Sequence, residues 1–165
     1  MKSRWLLLIV AAALVGCGKS ADMKKLESDL NAEIQKVHEK QMASMKVLDS
    51  LTASLDVAMA KHTELAAKFP KALEGHSAGD IAAAKEQIAG TKSAMDSWMK
   101  AYKPYDETLA HEQVMAKLNK DMEGLMGTQT QLDAAMKGAS DVITGHAKAA
   151  AEVMAKFDKD RKSVV

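Results

Sequence analysis

Twelve methionines, five histidines and one cysteine are the side chains of this 165-residue sequence best suited to holding something soft. Thioethers and imidazoles suit copper, and several methionines pair at helical spacing: Met42 with Met45, Met95 with Met99, Met122 with Met126. Methionine also fills irregular gaps in apolar cores, so core packing is the first reading of these residues and a ligand set the second. His76 falls in a polar stretch and is expected in solvent. His62 and His146 stand on apolar seams among alanines, where small neighbours leave room for a hydrogen-bonded imidazole and a polar residue can set helix register. Catalytic motifs are missing: the sequence has no Glu-x-x-His, no His-Glu-x-x-His, no glycine-rich phosphate loop and no Gly-x-Ser-x-Gly elbow. Its carboxylates fall between lysines on helix faces. The expectation is a protein that is not an enzyme.

The cysteine has a different chemistry. Cys17 ends Leu14-Val15-Gly16-Cys17, which fits Leu-(Ala/Ser/Val)-(Gly/Ala)-Cys, the lipobox read by lipoprotein signal peptidase. Met1 to Arg4 supply positive charge ahead of an apolar core, Trp5 to Leu14, that is too short to span a bilayer and right for a cleaved export signal. Residues 1–16 are thus expected to be a signal peptide, with Cys17 acylated on its thiol and amine by palmitate-type chains. Three chains anchor stably where one binds only marginally. Lipidation consumes the thiol, leaving none for disulfides, redox chemistry, zinc–cysteine sites or c-type haem. Gly18 stands where enterobacterial lipoproteins kept in the inner membrane carry Asp. An envelope location follows, on the outer membrane and facing the periplasm.

Without residues 1–16 the basic count falls from 23 to 21, as Lys2 and Arg4 leave, against 22 acidic residues. Both signs are interspersed and no long basic block occurs, which argues against nucleic acid as a partner. Strong helix formers dominate, and no alternating β-branched run suggests a sheet. The expected fold is all-α: an elongated antiparallel bundle of three long helices over about 22–69, 78–102 and 107–160. It forms one domain over 22–162, with residues 17–21 as lipidated cysteine and short tether. Pro70 and Pro104 mark the breaks. The first seam reads Met23, Leu26, Leu30, Ile34, Val37, Met45, Leu48, Leu55, Met59, Ala66 and Phe69, at a mean step near 3.5 residues. The third keeps a four–three alternation from His111 through Leu118, Leu125, Leu132, Ala139 and His146 to Phe157.

Whether that third helix is continuous is a matter of length. Lys137-Gly138-Ala139-Ser140-Asp141 offers a glycine C-cap followed by N-caps, a break near 138–140 that would give a fourth helix. Tight hairpins about residues 74 and 105 would let the third helix reach the far end of the first near Met136, leaving the rest without a partner. Helices draw most of their stability from packing, so this arithmetic favours a fold-back that leaves residues 22–45 as a stalk. The unbroken heptad phase favours one long helix. The same hairpins would set Met99 near the level of residue 49 and His111 opposite Met99. His38, Met42, Met45, Met99, His111 and Met115 would then gather near Trp98 and Tyr102, as a copper site or as a methionine core closed by an aromatic plug. A haem held by methionine and histidine is a further reading, supported by spacing alone.

Two segments resemble a group of bacterial helical lipoproteins sometimes labelled "viral A-type inclusion protein". Val37-His38-Glu39-Lys40-Gln41-Met42-Ala43-Ser44-Met45 is similar to that group's Val-His-(Asp/Glu)-x-x-Met-x-x-Met. Trp98-Met99-Lys100-Ala101-Tyr102 and His111-Glu112-Gln113-Val114-Met115 are similar to its Trp-Met-x-x-Phe and His-Glu-x-x-Met, with tyrosine in place of phenylalanine. The resemblance covers about a third of the chain and implies a lipid-anchored bundle with no assigned activity. The start of the mature chain also looks like murein lipoprotein, but Lys162-Ser163-Val164-Val165 does not end in the lysine that joins that protein to peptidoglycan. The expected role is a structural or protein-interaction module that associates with itself or with a helical partner, the alternative being a periplasmic metal-binding or metal-stress protein.

Overall fold

A computed structural model describes residues 19–69, 73 and 75–163; the expected signal peptide and Cys17 lie outside the described residues. Three helices pack together: α1 (Ala21–Lys68, 48 residues), α2 (Ala78–Ala101, 24 residues) and α3 (His111–Ser163, 53 residues). No strand occurs among the described residues. The all-α bundle and its three boundaries agree with the periodicity and the two prolines.

Local chemistry sets the helix ends. Ser20 Oγ accepts from Met23 N at 3.2 Å to cap α1, and Phe69, which precedes Pro70 and so disfavours helical backbone, ends it. Ser77 and Asp80 form a reciprocal capping box on α2. Pro104 prevents continuation past Tyr102, and Ala110 N donates to Gln113 Oε1 at 3.2 Å where α3 begins.

Helix α2 runs antiparallel to its neighbours, so α1 and α3 are parallel. Each α3 residue sits beside the α1 residue numbered 84 lower: His111 against Glu27, Leu125 against Gln41, His146 against His62. Because 84 is a multiple of seven, heptad positions coincide, and layer follows layer as Ile34 with Leu118, Leu48 with Leu132, Leu55 with Ala139. All six are buried. Two of the layers carry hydrogen-bonded polar groups. Buried Gln41 donates to Leu125 O at 2.8 Å and its Oε1 lies 3.1 Å from Thr128 Oγ1. A polar pair at an otherwise apolar layer penalises every other register, because sliding one heptad would bury it against leucine.

The fold-back at 138–140 does not form: α3 is continuous through Gly138, and residues 27–45 are packed rather than a stalk. Each successive helix is set closer to the start of α1 than a tight hairpin would place it. Trp98 meets His38, about ten residues lower than a tight first hairpin would put it. His111 meets Glu27 instead of the level of residue 49, a slide of roughly 33 Å at 1.5 Å per residue. With that slide α3 has a partner along α1 from Glu27 to Phe69, whose ring meets Phe157 at 5.5 Å. The length argument for a fourth helix disappears. Met23 and Leu26, expected on the seam, are 41% and 51% exposed, while Glu27, Leu65, Val114 and Ala135 are buried. The additional buried α3 residues arise because α3 lies against both other helices and needs a wider face than a single seam.

Candidate functional site

The six residues expected to form a Met/His cluster are spread along the bundle. His111 lies at the level of Glu27 and Met45 eighteen α1 residues further on, a span of about 27 Å. Met99 and Met45 pack against the buried cluster of Ile34, Met95, Val114, Leu118 and Leu125. Met42 is 38% exposed, and Met115 is half-buried one turn after His111.

His111 has a partner of another kind. Its Nδ1–H donates to Glu27 Oε1 at 2.9 Å, while Lys19 Nζ donates to Oε2 at 2.8 Å. Glu27 is only 1% exposed. Burial pushes its carboxyl up, but the hydrogen bonds and charges of Lys19 and His111 outweigh that and hold it below its ordinary value of 4.5. A carboxylate with a lowered folded pKa stabilises fully above the unfolded value and stops doing so as pH falls through the folded one. In thermal melts, the lead of wild type over Glu27→Gln should therefore be full above pH 4.5 and narrow at lower pH. A lead that widens towards acid would contradict the ion-pair layer.

The middle of this half is closed by aromatic rings. Trp98 stacks on Tyr102 at 5.0 Å and meets the His38 ring at 5.2 Å. Trp98 Nε1 donates to Asp121 O at 3.0 Å, and Tyr102 OH accepts from Gln35 Nε2 at 2.7 Å while donating to Asn31 Oδ1 at 3.1 Å. Lys117 lies over the Tyr102 ring at 5.1 Å. His38 keeps a buried Nε2 without a hydrogen-bond partner. These rings pack against the buried cluster of Ile34, Met95, Val114, Leu118 and Leu125, with Met45, Met99 and Met122 partly buried beside it. Their packing depends on Gly124, where an added Cβ would stand 2.9 Å from Trp98 Cδ1. Gly124→Ala should lower stability by about 1–3 kcal/mol through overpacking, although alanine is the better helix former. Gly90→Ala, whose Cβ would meet nothing within 4 Å, should raise stability by about 0.5–1 kcal/mol. Paired denaturant melts of the two variants test the contrast.

At the opposite end, sequence reasoning missed a group of three histidines. His146 lies between His62 and His76, with ring centroids 5.4 Å from each. His76, expected in solvent, is half-buried, because the connection from α1 to α2 folds down onto α3. His146 Nδ1–H donates to Val142 O at 3.0 Å, while His146 Nε2 and His62 Nδ1 are buried with no hydrogen-bond partner. His146 is 6% exposed. Among the described residues no three His, Cys, Asp or Glu side chains are arranged to hold a metal ion. The available signal was the common heptad phase of His62 and His146, 84 residues apart, but using it required knowing that α1 and α3 are parallel. Beside these rings opens an apolar cleft of about 310 Å³.

Compared with known proteins, the chain matches no family model, no curated protein and no solved structure. Among the described residues, no helix is long and apolar enough to cross a membrane.

Proposed function

We propose that this chain is an envelope lipoprotein, anchored through lipid on Cys17, whose bundle is a non-enzymatic spacer and protein-interaction module. The observation that supports this best is the layered pairing of α1 with α3, from Glu27–His111 to Phe69–Phe157. Helix α1 begins at Ala21, four residues after the lipobox cysteine, so an anchored chain becomes a stiff rod almost at the bilayer. From Ala21 to Phe69 that rod is roughly 70 Å long at 1.5 Å per residue. Pairing of α1 with α3 from Glu27 to Phe69, with the shorter α2 packed along the middle, resists bending, and polar layers hold its register. Its far end would present Phe157, 46% exposed, and Val57, 70% exposed, to a partner.

Membrane fractionation of the full-length chain in a diderm bacterium tests the reading. Wild type should label with radioactive palmitate and sediment with outer membranes. Cys17→Ser should lose the label and leave that fraction. A wild-type chain that remains unlabelled and soluble would refute the anchor, and hydrolytic or transfer activity in the purified bundle would refute the non-enzymatic role.

A further inference from the structure

Helix α2 covers one side of the α1–α3 pair and leaves the other open. Towards α2, α1 presents Gln35, His38 and Asp49, and α3 presents Gly124 and Gly138. Away from it, Val57, Lys61 and Leu65 of α1 and Ile143 and Ala147 of α3 line the apolar cleft. The heptad phase that stacks the layers extends this open side along the whole pair. Leu51, Val37 and Leu30 repeat the place of Leu65, and Met136, Met122 and Met115 repeat that of Ile143; these repeats are half-buried. Exposed Leu26, Val47, Met154 and Phe157 lie along the edges. Contiguous apolar side chains on one face of a soluble protein mark an interaction surface. Two helices each about 10 Å wide, paired over roughly 60 Å, offer roughly 1,200 Å². A standard interface takes only ~800 Å² from each partner.

The charges along the edges of this face specify what covers it. On α1 the edge is acidic near its start, with Asp22, Asp29 and Glu33, and basic near its end, with Lys61 and Lys68 flanking Glu64. A face that reverses its charge from one end to the other complements a copy of itself laid antiparallel. A two-fold axis crossing the helices sets α1 on α1 and α3 on α3 of the second copy, with every contact made twice. Glu33 then meets Lys61, and Lys40 meets Ser54, when the axis passes Val47, midway between each pair. On α3, Glu123 meets Lys137 when the axis passes Thr130, midway between those two. Thr130 stands at the level of Lys46, given the 84-residue offset of α3 from α1. Two independent charge pairs thus place one axis within a residue of the same level, close to the middle of α1. Val47 packs there against its own counterpart. Asp29 approaches Glu64 in this register, with Lys61 and Lys68 on either side of it. A parallel pair, with α1 on α3, would offer Lys40 to Glu123 but press Glu112 against Asp29. It would also leave Glu33 and Lys61 opposite uncharged Asn119 and Ala147. Exposed ion pairs add little affinity; they select the orientation, while the apolar face supplies the attraction.

We propose that a second copy of this chain docks antiparallel on the open α1–α3 face, about a two-fold axis beside Val47. This rests on the reading of the bundle as a protein-interaction module and names its partner. The two Ala21 ends then point in opposite directions. An anchored pair would therefore join two apposed bilayers instead of standing side by side on one.

Sedimentation equilibrium of residues 18–165, which carry every buried residue of the core, tests the association free of any anchor. The chain should be a dimer at high micromolar concentration and dissociate on dilution. Val47→Glu, at a position exposed in the single copy, should weaken association at least tenfold and leave the helical circular dichroism unchanged. Glu33→Lys and Lys61→Glu should each weaken it severalfold, and the double variant should recover wild-type affinity. Residues 18–165 contain no cysteine, so introduced thiols report the geometry. Val47→Cys should form a disulfide between copies, Glu33→Cys alone should not, and a mixture of Glu33→Cys with Lys61→Cys should. A monomer at every concentration, a double variant that does not recover, or self-linked Glu33→Cys would each overturn the proposal. So would a stable complex with a different helical protein formed by a chain that stays monomeric alone. Palmitate labelling judges the anchor separately, so the two readings fail independently.

Discussion

Replacing Ser140 by proline should cost about 3 kcal/mol or more and remove a measurable part of the helical signal. Ser140 is an exposed residue inside α3, and proline there deletes one backbone hydrogen bond and drives its ring into the carbonyl four residues earlier. The damage falls beside buried Ala135 and Ala139, which pack with Leu55 and Ile81 in the central core, so the kink would separate helices that the layers hold together. The result discriminates between folds. If the chain turned back at Gly138, residue 140 would stand at the start of a helix, where proline is welcome, and the variant would melt with wild type. Circular dichroism at 222 nm through a urea titration measures both the helicity and the stability.

Leu48→Ala should be comparably severe, at about 2–5 kcal/mol, or a fall in Tm of order 10 °C for a domain of this size. Leu48 is fully buried in the cluster where α1, α2 and α3 meet, against Ile81, Ile88 and Leu132. Truncation removes the transfer free energy of the lost methyl groups and leaves a cavity. Rigid helices on three sides, held by the Gln41 layer one heptad earlier, limit how far the site can collapse. Met126→Ala is the control: Met126 is 61% exposed, and its loss should change stability by no more than about 0.5 kcal/mol. Equal effects at the two positions would mean that the core is not where the three helices are described as meeting.

The pair of variants also marks where stability resides. Many visible ion pairs join exposed side chains, such as Lys25 with Asp29 or Lys137 with Asp141, and pairs of that kind contribute little individually. The buried layers and the caps carry the fold.

Helix existence and extent were legible before any coordinates. A helical residue bonds to the one four places away, so breaks at Pro70 and Pro104 and a seam stepping by 3.5 residues are decided within a few residues of chain. The expected boundaries at 22–69, 78–102 and 107–160 differ from α1, α2 and α3 by only a few residues. What faces what depends on the path of two connections, Phe69 to Ser77 and Lys103 to Ala110, and no periodicity encodes it. An extended residue advances about 3.3–3.6 Å, more than twice a helical one, so the path of a few connecting residues shifts everything after it. That shift parted His111 from Met99 and gave it to Glu27, a carboxylate the seam pattern had assigned to solvent. The same shift made one helix of residues 111–163, and it set His62, His76 and His146 side by side over an apolar cleft. Sequence alone determined the helices; only tertiary structure, through the axial slide between them, decided which side chains meet.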